Sequence, residues 1–238
     1  MKTFSYVTGG KGGIGKSTET IALVDYLAAN GDEVLLFDAD PVNADSSAAF
    51  KNGKQKNVTC ERVRVRSEDA DGQIDASGLM NVIDKADGSK AKHIVVDAPA
   101  GETTLLVEAG SIIIEACKAV KMKSIIVWLV DSVDRTAVNA LAAAWESIKG
   151  ADTILIVKNN RKGSNFECFD GSKTITAILA SDNVKVIEMP KIAARLEPML
   201  KVERKSMKEI AEESPIGSRV EAIRIRNIFH DSFKGAGL

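Results

Sequence analysis

At 238 residues, 45% hydrophobic and 27% charged, the chain has the length and composition of one well-packed soluble domain. Its 32 basic and 33 acidic side chains leave a net charge of -1, which excludes a nucleic-acid or membrane partner held by overall charge and allows only a local patch. The first apolar run, TFSYVT at 3–8, reads as a strand. A glycine-rich segment follows it, and then a helix over Lys16–Asn30 that stops at Asn30-Gly31, where glycine can take the left-handed cap geometry. EVLLFD at 33–38 is the second strand. The stretch 51–92 is more polar: alternation in NVTCERVRVR at 57–66 predicts an edge strand, and IDASGLMNVIDKA at 74–86 predicts a helix. Strands at 93–97 (HIVVD), 124–130 (SIIVWLV), 153–158 (TILIVK) and 184–189 (VKVIEM) then alternate with helices over Glu102–Val120, Arg135–Lys149 and Ser172–Leu179. After Pro190 the pattern is helical and mixed in charge, with ten basic and seven acidic residues from Lys191 to Lys234.

Continuous apolar strands alternating with helices imply right-handed crossovers and an α/β fold, a doubly wound, mostly parallel sheet flanked by helices. No linker or repeat interrupts it, so the expectation is one domain over 1–238, with a core over 1–190 and a helical part over 191–238. Cys60, Cys117 and Cys168 lie far apart without C-x-x-C spacing, which speaks against a zinc site or a disulfide framework and for reduced thiols. The N-terminus enters a strand with no charged-then-apolar leader, and no apolar run approaches the ~20 residues that span a bilayer. A cytoplasmic protein is the expectation.

Gly10-Lys11-Gly12-Gly13-Ile14-Gly15-Lys16-Ser17 stands between a predicted strand and a predicted helix, the context in which a phosphate-loop motif has physical meaning. Its glycines let backbone N–H groups turn toward an anion, and the helix N-terminus adds partial positive charge. Lys16 is placed to reach the β- and γ-phosphates of a nucleotide, and the Ser17 hydroxyl to ligate Mg²⁺. Carboxylates at neighbouring strand ends complete such a site. Asp97, in HIVVDAPAGE, can hold a magnesium-bound water, and Asp40, in LLFDADPVNADSS, can orient the attacking water. Asp38 is a further candidate for holding the ion through water, and for each aspartate the alternative is a capping role.

Together KGGIGKST, DADP and DAPAG make the chain resemble the deviant Walker A ATPases, the ParA/MinD family of partitioning and positioning proteins within the SIMIBI class of P-loop proteins, over about residues 1–160. The resemblance implies ATP and Mg²⁺ as cofactors, slow ATP hydrolysis, and a homodimer with ATP sandwiched in it. Lys11 matches the family's signature lysine, which reaches the phosphates bound by the partner. Lys16, Ser17 and Thr18 match the phosphate- and magnesium-contacting residues, Asp40 the switch I aspartate and Asp97 the switch II aspartate. For the base the resemblance implies Asn159 or Asn160 and the backbone near Pro190. A physical reading of Lys11 agrees: Lys16 already serves its own loop, so a second cation aimed outward suits a phosphate on another subunit. Val42 after Pro41 departs from the usual switch I pattern, and no cysteine pair matches the iron–sulfur relatives. Plasmid-stability and conjugation-associated members such as StbB and TraL stand as neighbours.

Three targets remain open. A partitioning ATPase would bind DNA nonspecifically through Arg195, Lys201, Arg204, Lys205, Lys208, Arg219, Arg224 and Arg226. A MinD-like positioning ATPase would use Val220, Ile223, Ile228 and Phe229 in the last helix as a membrane-facing stripe, although packing on the sheet explains the same stripe better. A nucleotide-dependent binding switch would act on a protein partner, such as an activator or adaptor.

Overall fold

Runs of β-branched and aromatic residues with apolar side chains on both faces can satisfy their backbone only in a sheet covered by helices. The computed structural model describes residues 1–51, 55–68, 74–100, 103–133 and 135–238. In chain order its elements are β1 (Thr3–Gly9), α1 (Lys16–Ala29), β2 (Val34–Asp38), α2 (Asp45–Ala48), β3 (Val58–Arg62), β4 (Ser67–Glu68), β5 (Ile74–Asp75), α3 (Ser77–Gly88) and β6 (His93–Asp97). There follow α4 (Thr103–Ala119), β7 (Lys123–Asp131), α5 (Thr136–Ile148), β8 (Thr153–Asn159), a 3-10 turn (Asn160–Lys162), α6 (Glu167–Asp170), α7 (Lys173–Leu179) and β9 (Val184–Met189). The chain ends with α8 (Glu197–Lys201), α9 (Met207–Glu213) and α10 (Ile216–Gly235).

Among the described residues, seven strands form one parallel sheet in the order β3-β2-β6-β1-β7-β8-β9, and β4 pairs with β5 in a separate antiparallel ladder. The six strands expected from apolar runs are all there, within a residue of their expected ends. The central strands bury Phe4, Tyr6, Phe37 and Trp128, and the Trp128 indole donates to the Ala137 carbonyl at 3.2 Å, so the largest core side chain has its one polar atom satisfied.

The polar stretch differs from expectation. The 57–66 alternation does supply the edge strand β3, but pairing stops at Arg62. The expected helix over 74–86 begins only at Ser77. Asp75 is the reason: its Oδ1 accepts from the Ser77 N–H at 2.8 Å, so Ile74 and Asp75 stay extended and the helix starts behind this turn. The helix expected from 102 begins at Thr103, and Glu102 lies outside the described residues.

The last helix is clamped to the first. Ala222, Ile225, Phe229 and Phe233 of α10 are buried, and Arg226 Nε and His230 Nε2 meet Asp25 Oδ2 of α1 at 2.5 and 3.0 Å. Burial pushes the Asp25 carboxyl up, but the hydrogen bonds from His230 and Arg226 outweigh it and hold the group below its ordinary range. The N-terminal part of α1 carries the opposite case. Glu19 is fully buried, neither of its oxygens is hydrogen-bonded among the described residues, and burial pushes its carboxyl up to about 8.

The folded chain therefore keeps the Glu19 proton up to about pH 8, whereas the unfolded chain loses it near the ordinary 4.5. The associated stability is fully present below that ordinary value and is lost as the pH rises through the folded one. Replacing Glu19 by Gln should flatten the fall in Tm between pH 5 and pH 8 measured by thermal unfolding. An undiminished fall in the variant would show that Glu19 carries none of it.

Candidate functional site

The strands end together at one edge of the sheet, and their last residues carry the chemistry. In register, Asp38 of β2 sits beside Asp97 of β6, Val7 of β1 beside Asp97, Asp131 of β7 beside Asn159 of β8, and Asn159 beside Met189 of β9. The loop after β1 lies in the middle of this edge. Gly10 must be glycine because a Cβ there would stand 2.7 Å from Ala137 Cα and Ala140 Cβ, so the loop closes directly on α5. Gly15 has φ +101°, and a Cβ would stand 2.5 Å from Asn159 Nδ2. Ile14 plugs into the core between them, while Gly12 and Gly13 are exposed at the crest.

Gly15 caps α1 with no side-chain hydrogen bond, so the first N–H groups of a 14-residue helix are left to whatever occupies the loop. Lys16 is buried at the same point, and its Nζ makes a long bond of 3.4 Å to the Lys11 carbonyl. Burial pushes its pKa down, against the pull of Asp97 and Asp40. A desolvated ammonium and an open helix N-terminus aimed into one cleft fit a polyphosphate.

That cleft has a volume of about 310 Å³. Gly13, Gly15, Lys16, Ser17 and Thr18 line one side, Asp40, Asn43 and Asp45 another. The far wall is made by Arg161, Leu200, Lys201 and Met207, from the turn after β8 and from α8 and α9. Glu197 holds two of these, at 2.6 Å to Lys201 Nζ and 3.6 Å to Arg161 Nη2. Arg204 Nε and Asp45 Oδ1, 3.7 Å apart, link the same C-terminal segment to the loop after β2. This wall was not legible in the sequence, because it depends on where the chain after Pro190 folds back.

The three aspartates divide their work. Asp38 is buried and its carboxylate is spent on structure, accepting from Asp40 N at 3.2 Å and from Ser46 Oγ and Ser47 N at 3.0 Å. Asp40 Oδ1 accepts from the N–H groups of Val42 and Asn43, both at 2.9 Å, which fixes the loop it belongs to. Arg62, at the end of β3, donates to the carbonyls of Asp40 and Pro41 at 3.0 and 3.1 Å and so braces the loop from outside. Arg62 lies outside the sequence motifs of the site, and its place at the end of an alternating strand is the one sequence signal that points to it.

Asp97 is almost wholly buried, and neither oxygen is hydrogen-bonded among the described residues. Burial pushes its carboxyl up to about 6, while the Ser46 and Ser17 hydroxyls lie close enough to pull the other way without reaching hydrogen-bond geometry. An orphaned carboxylate beside Ser17 fits a hydrated Mg²⁺. Among the described residues no group of three or more His, Cys, Asp or Glu could hold a metal alone, which suits an ion bound chiefly by phosphates and water.

Lys11 does not point into empty solvent. Its Nζ lies 2.9 Å from Asp131 Oδ2 at the end of β7, and Lys162 Nζ approaches the same oxygen at 3.5 Å. Asn159, one of two candidates for a base contact, donates from Nδ2 to the Ile14 carbonyl at 2.7 Å and accepts from Arg161 N at 2.9 Å, so it ties the loop to β8. Asn160 Nδ2 donates to Glu188 Oε2 at 2.9 Å, and Pro190 follows β9 half-buried.

A sequence model of the CobQ/CobB/MinD/ParA nucleotide binding domain matches residues 6–169. The chain belongs to this family. As a ParA/MinD-type protein it is 31% identical over 229 residues to Protein MobD of Acidithiobacillus ferrooxidans, covering 95% of this chain and 94% of MobD. A ParA family ATPase from Chlorobium tepidum has the same fold, with a TM-score of 0.58 at 11% identity over 97% of this chain and 96% of the other. The cell division ATPase MinD of Pyrococcus furiosus has it too, with a TM-score of 0.56 at 15% identity over 99% of both chains.

In this ParA/MinD-type site the position of Asn159 makes its role testable. A group that positions the loop serves every nucleoside triphosphate equally, whereas a base contact discriminates among them. Asn159→Ala, which removes two hydrogen bonds of about 1 kcal/mol each, should weaken ATP and GTP binding alike, roughly tenfold, by fluorescence titration. Loss of ATP affinity alone would make Asn159 a base ligand instead.

Proposed function

We propose that the protein is an ATP-dependent dimerising switch that hydrolyses ATP to ADP and phosphate and serves plasmid DNA in partition, stability or conjugative transfer. The observation that carries this reading is the open N-terminus of α1, where buried Lys16 and the braced Asp40 loop meet at one cleft and orphaned Asp97 lies close to Lys16 and Ser17. Two solved relatives of the same fold are ATPases by name, and Protein MobD matches over nearly the whole chain.

In this reading the backbone N–H groups from Gly10 to Thr18 and the Lys16 ammonium hold the β- and γ-phosphates. When bound, Mg²⁺ neutralises developing charge on the phosphates, and Ser17 and Asp97 would hold it, the latter through water. Asp40 orients the attacking water, its loop kept in place by Arg62. Lys11 of a second copy adds positive charge to the transferring phosphoryl group.

The basic residues of the proposed DNA surface are mostly paired within the chain. Of the eight candidate basic residues, Arg226 is spent on buried Asp25. Lys201, Arg204, Lys205, Lys208 and Arg224 pair with Glu197, Asp45, Glu203, Glu212 and Glu221. Exposed pairs of this kind are worth only about 0–1 kcal/mol, so a DNA phosphate can compete for them. The membrane reading loses Phe229, which is buried, and keeps Val220 and Ile223, exposed on α10 beside Ile216.

Replacing Asp40 by Ala should leave ATP affinity within a few-fold but slow hydrolysis by about 10²-fold or more, trapping an ATP-loaded dimer by light scattering. That trapped dimer should sediment with plasmid DNA and come off as salt is raised. Rapid turnover in the variant would remove Asp40 from its role, and sedimentation with anionic liposomes instead of DNA would favour the membrane reading.

A further inference from the structure

Asp131 closes β7 at the rim of the site, is 5% exposed, and belongs to none of the motifs that mark this family in the sequence. Its two oxygens have different surroundings. Oδ1 accepts from the Val133 N–H at 3.4 Å. Oδ2 lies 2.9 Å from Lys11 Nζ and 3.5 Å from Lys162 Nζ, yet no hydrogen bond is aligned on it among the described residues. At that oxygen the attraction is one of charge and not of an aligned hydrogen bond. The two cations also differ in freedom, with the Lys11 side chain 18% exposed and that of Lys162 47% exposed.

We propose that Asp131 is a positioning residue for Lys11: it stows the lysine inside its own subunit before a second copy arrives, and Lys162 takes over its charge when Lys11 leaves. The inference rests on the dimer reading above and specifies how that dimer is gated. A lysine that serves a partner's phosphates must first break whatever it is paired with at home. Leaving a buried carboxylate behind uncompensated is costly, and Lys162, 3.5 Å from the same oxygen, lowers that cost without removing it. A γ-phosphate on the facing subunit is a stronger attractor for an ammonium than an unaligned carboxylate. The exchange therefore favours the dimer only when ATP is present on the other side. Without Asp131 as its latch, Lys11 would have no buried carboxylate to give up in any nucleotide state, and that part of its departure would no longer count against dimer formation.

The two neighbours of Lys11 predict effects of opposite sign. Asp131→Asn removes the home charge and should tighten the Mg-ATP dimer about tenfold, a change of about 1.4 kcal/mol, by sedimentation equilibrium. Lys162→Ala, on an exposed side chain that the fold does not need, should weaken the same dimer several-fold by stranding Asp131. Adding Lys11→Ala to Asp131→Asn should abolish the gain, which a merely structural role for Asp131 would not do. If the wild type dimerises with Mg-ATP and folded Asp131→Asn is no tighter, the latch is refuted and the dimer stands. If Asp131→Asn does not fold, an unweakened Lys162→Ala dimer refutes it equally. If neither wild type nor Asp131→Asn dimerises, the dimer reading falls and the latch with it.

Discussion

The N-terminus of α1 is left open, and everything at the site depends on that. A helix can have its first N–H groups covered by side chains, as Ser206 and Glu209 do reciprocally for α9. Gly15 offers no side chain, Ile14 is buried and cannot help, and the Asn159 amide is turned to the Ile14 carbonyl. The fold thus maintains a concentrated positive field beside a desolvated lysine, a state that an anion relieves and that water relieves poorly. The all-parallel sheet supplies the rigidity, since it sets β1, β6, β7 and β8 in fixed register and aims their last residues at the same loop.

Around this field the acidic groups sort by how much of their capacity is already used. Asp38 and Asp25 are saturated by hydrogen bonds and act as fasteners, one for the loop after β2 and one between α1 and α10. Asp97 is as deeply buried, but neither of its oxygens is hydrogen-bonded among the described residues, which fits the cation-holding role proposed for it. Asp131 stands between these cases, neutralised by lysines but not aligned with them. Burial alone would not have separated these four; the partners of each oxygen do.

Much of the sheet and the phosphate loop was legible in the sequence because both are local signals. An apolar run buried on two faces needs no knowledge of its neighbours, and a glycine-lysine pattern between a strand and a helix specifies its own geometry. What could not be read were contacts between segments far apart in the chain. Arg62 braces the Asp40 loop across the sheet edge, Asp131 meets Lys11 over more than a hundred residues, and Leu200 and Met207 return from the C-terminal helices to wall the cleft. The basic C-terminal residues looked like a surface patch in the sequence and proved to be largely paired, in part because charges three or four residues apart become ion pairs once helices form.

The most direct test is single-turnover release of phosphate from γ-labelled ATP by the wild-type protein with Mg²⁺, followed across a range of protein concentrations. An ATP switch that completes its site with a second copy predicts slow release that runs to completion, with a rate per molecule that rises with concentration and then levels off. Folded, nucleotide-bound protein that never cleaves its ATP would contradict it.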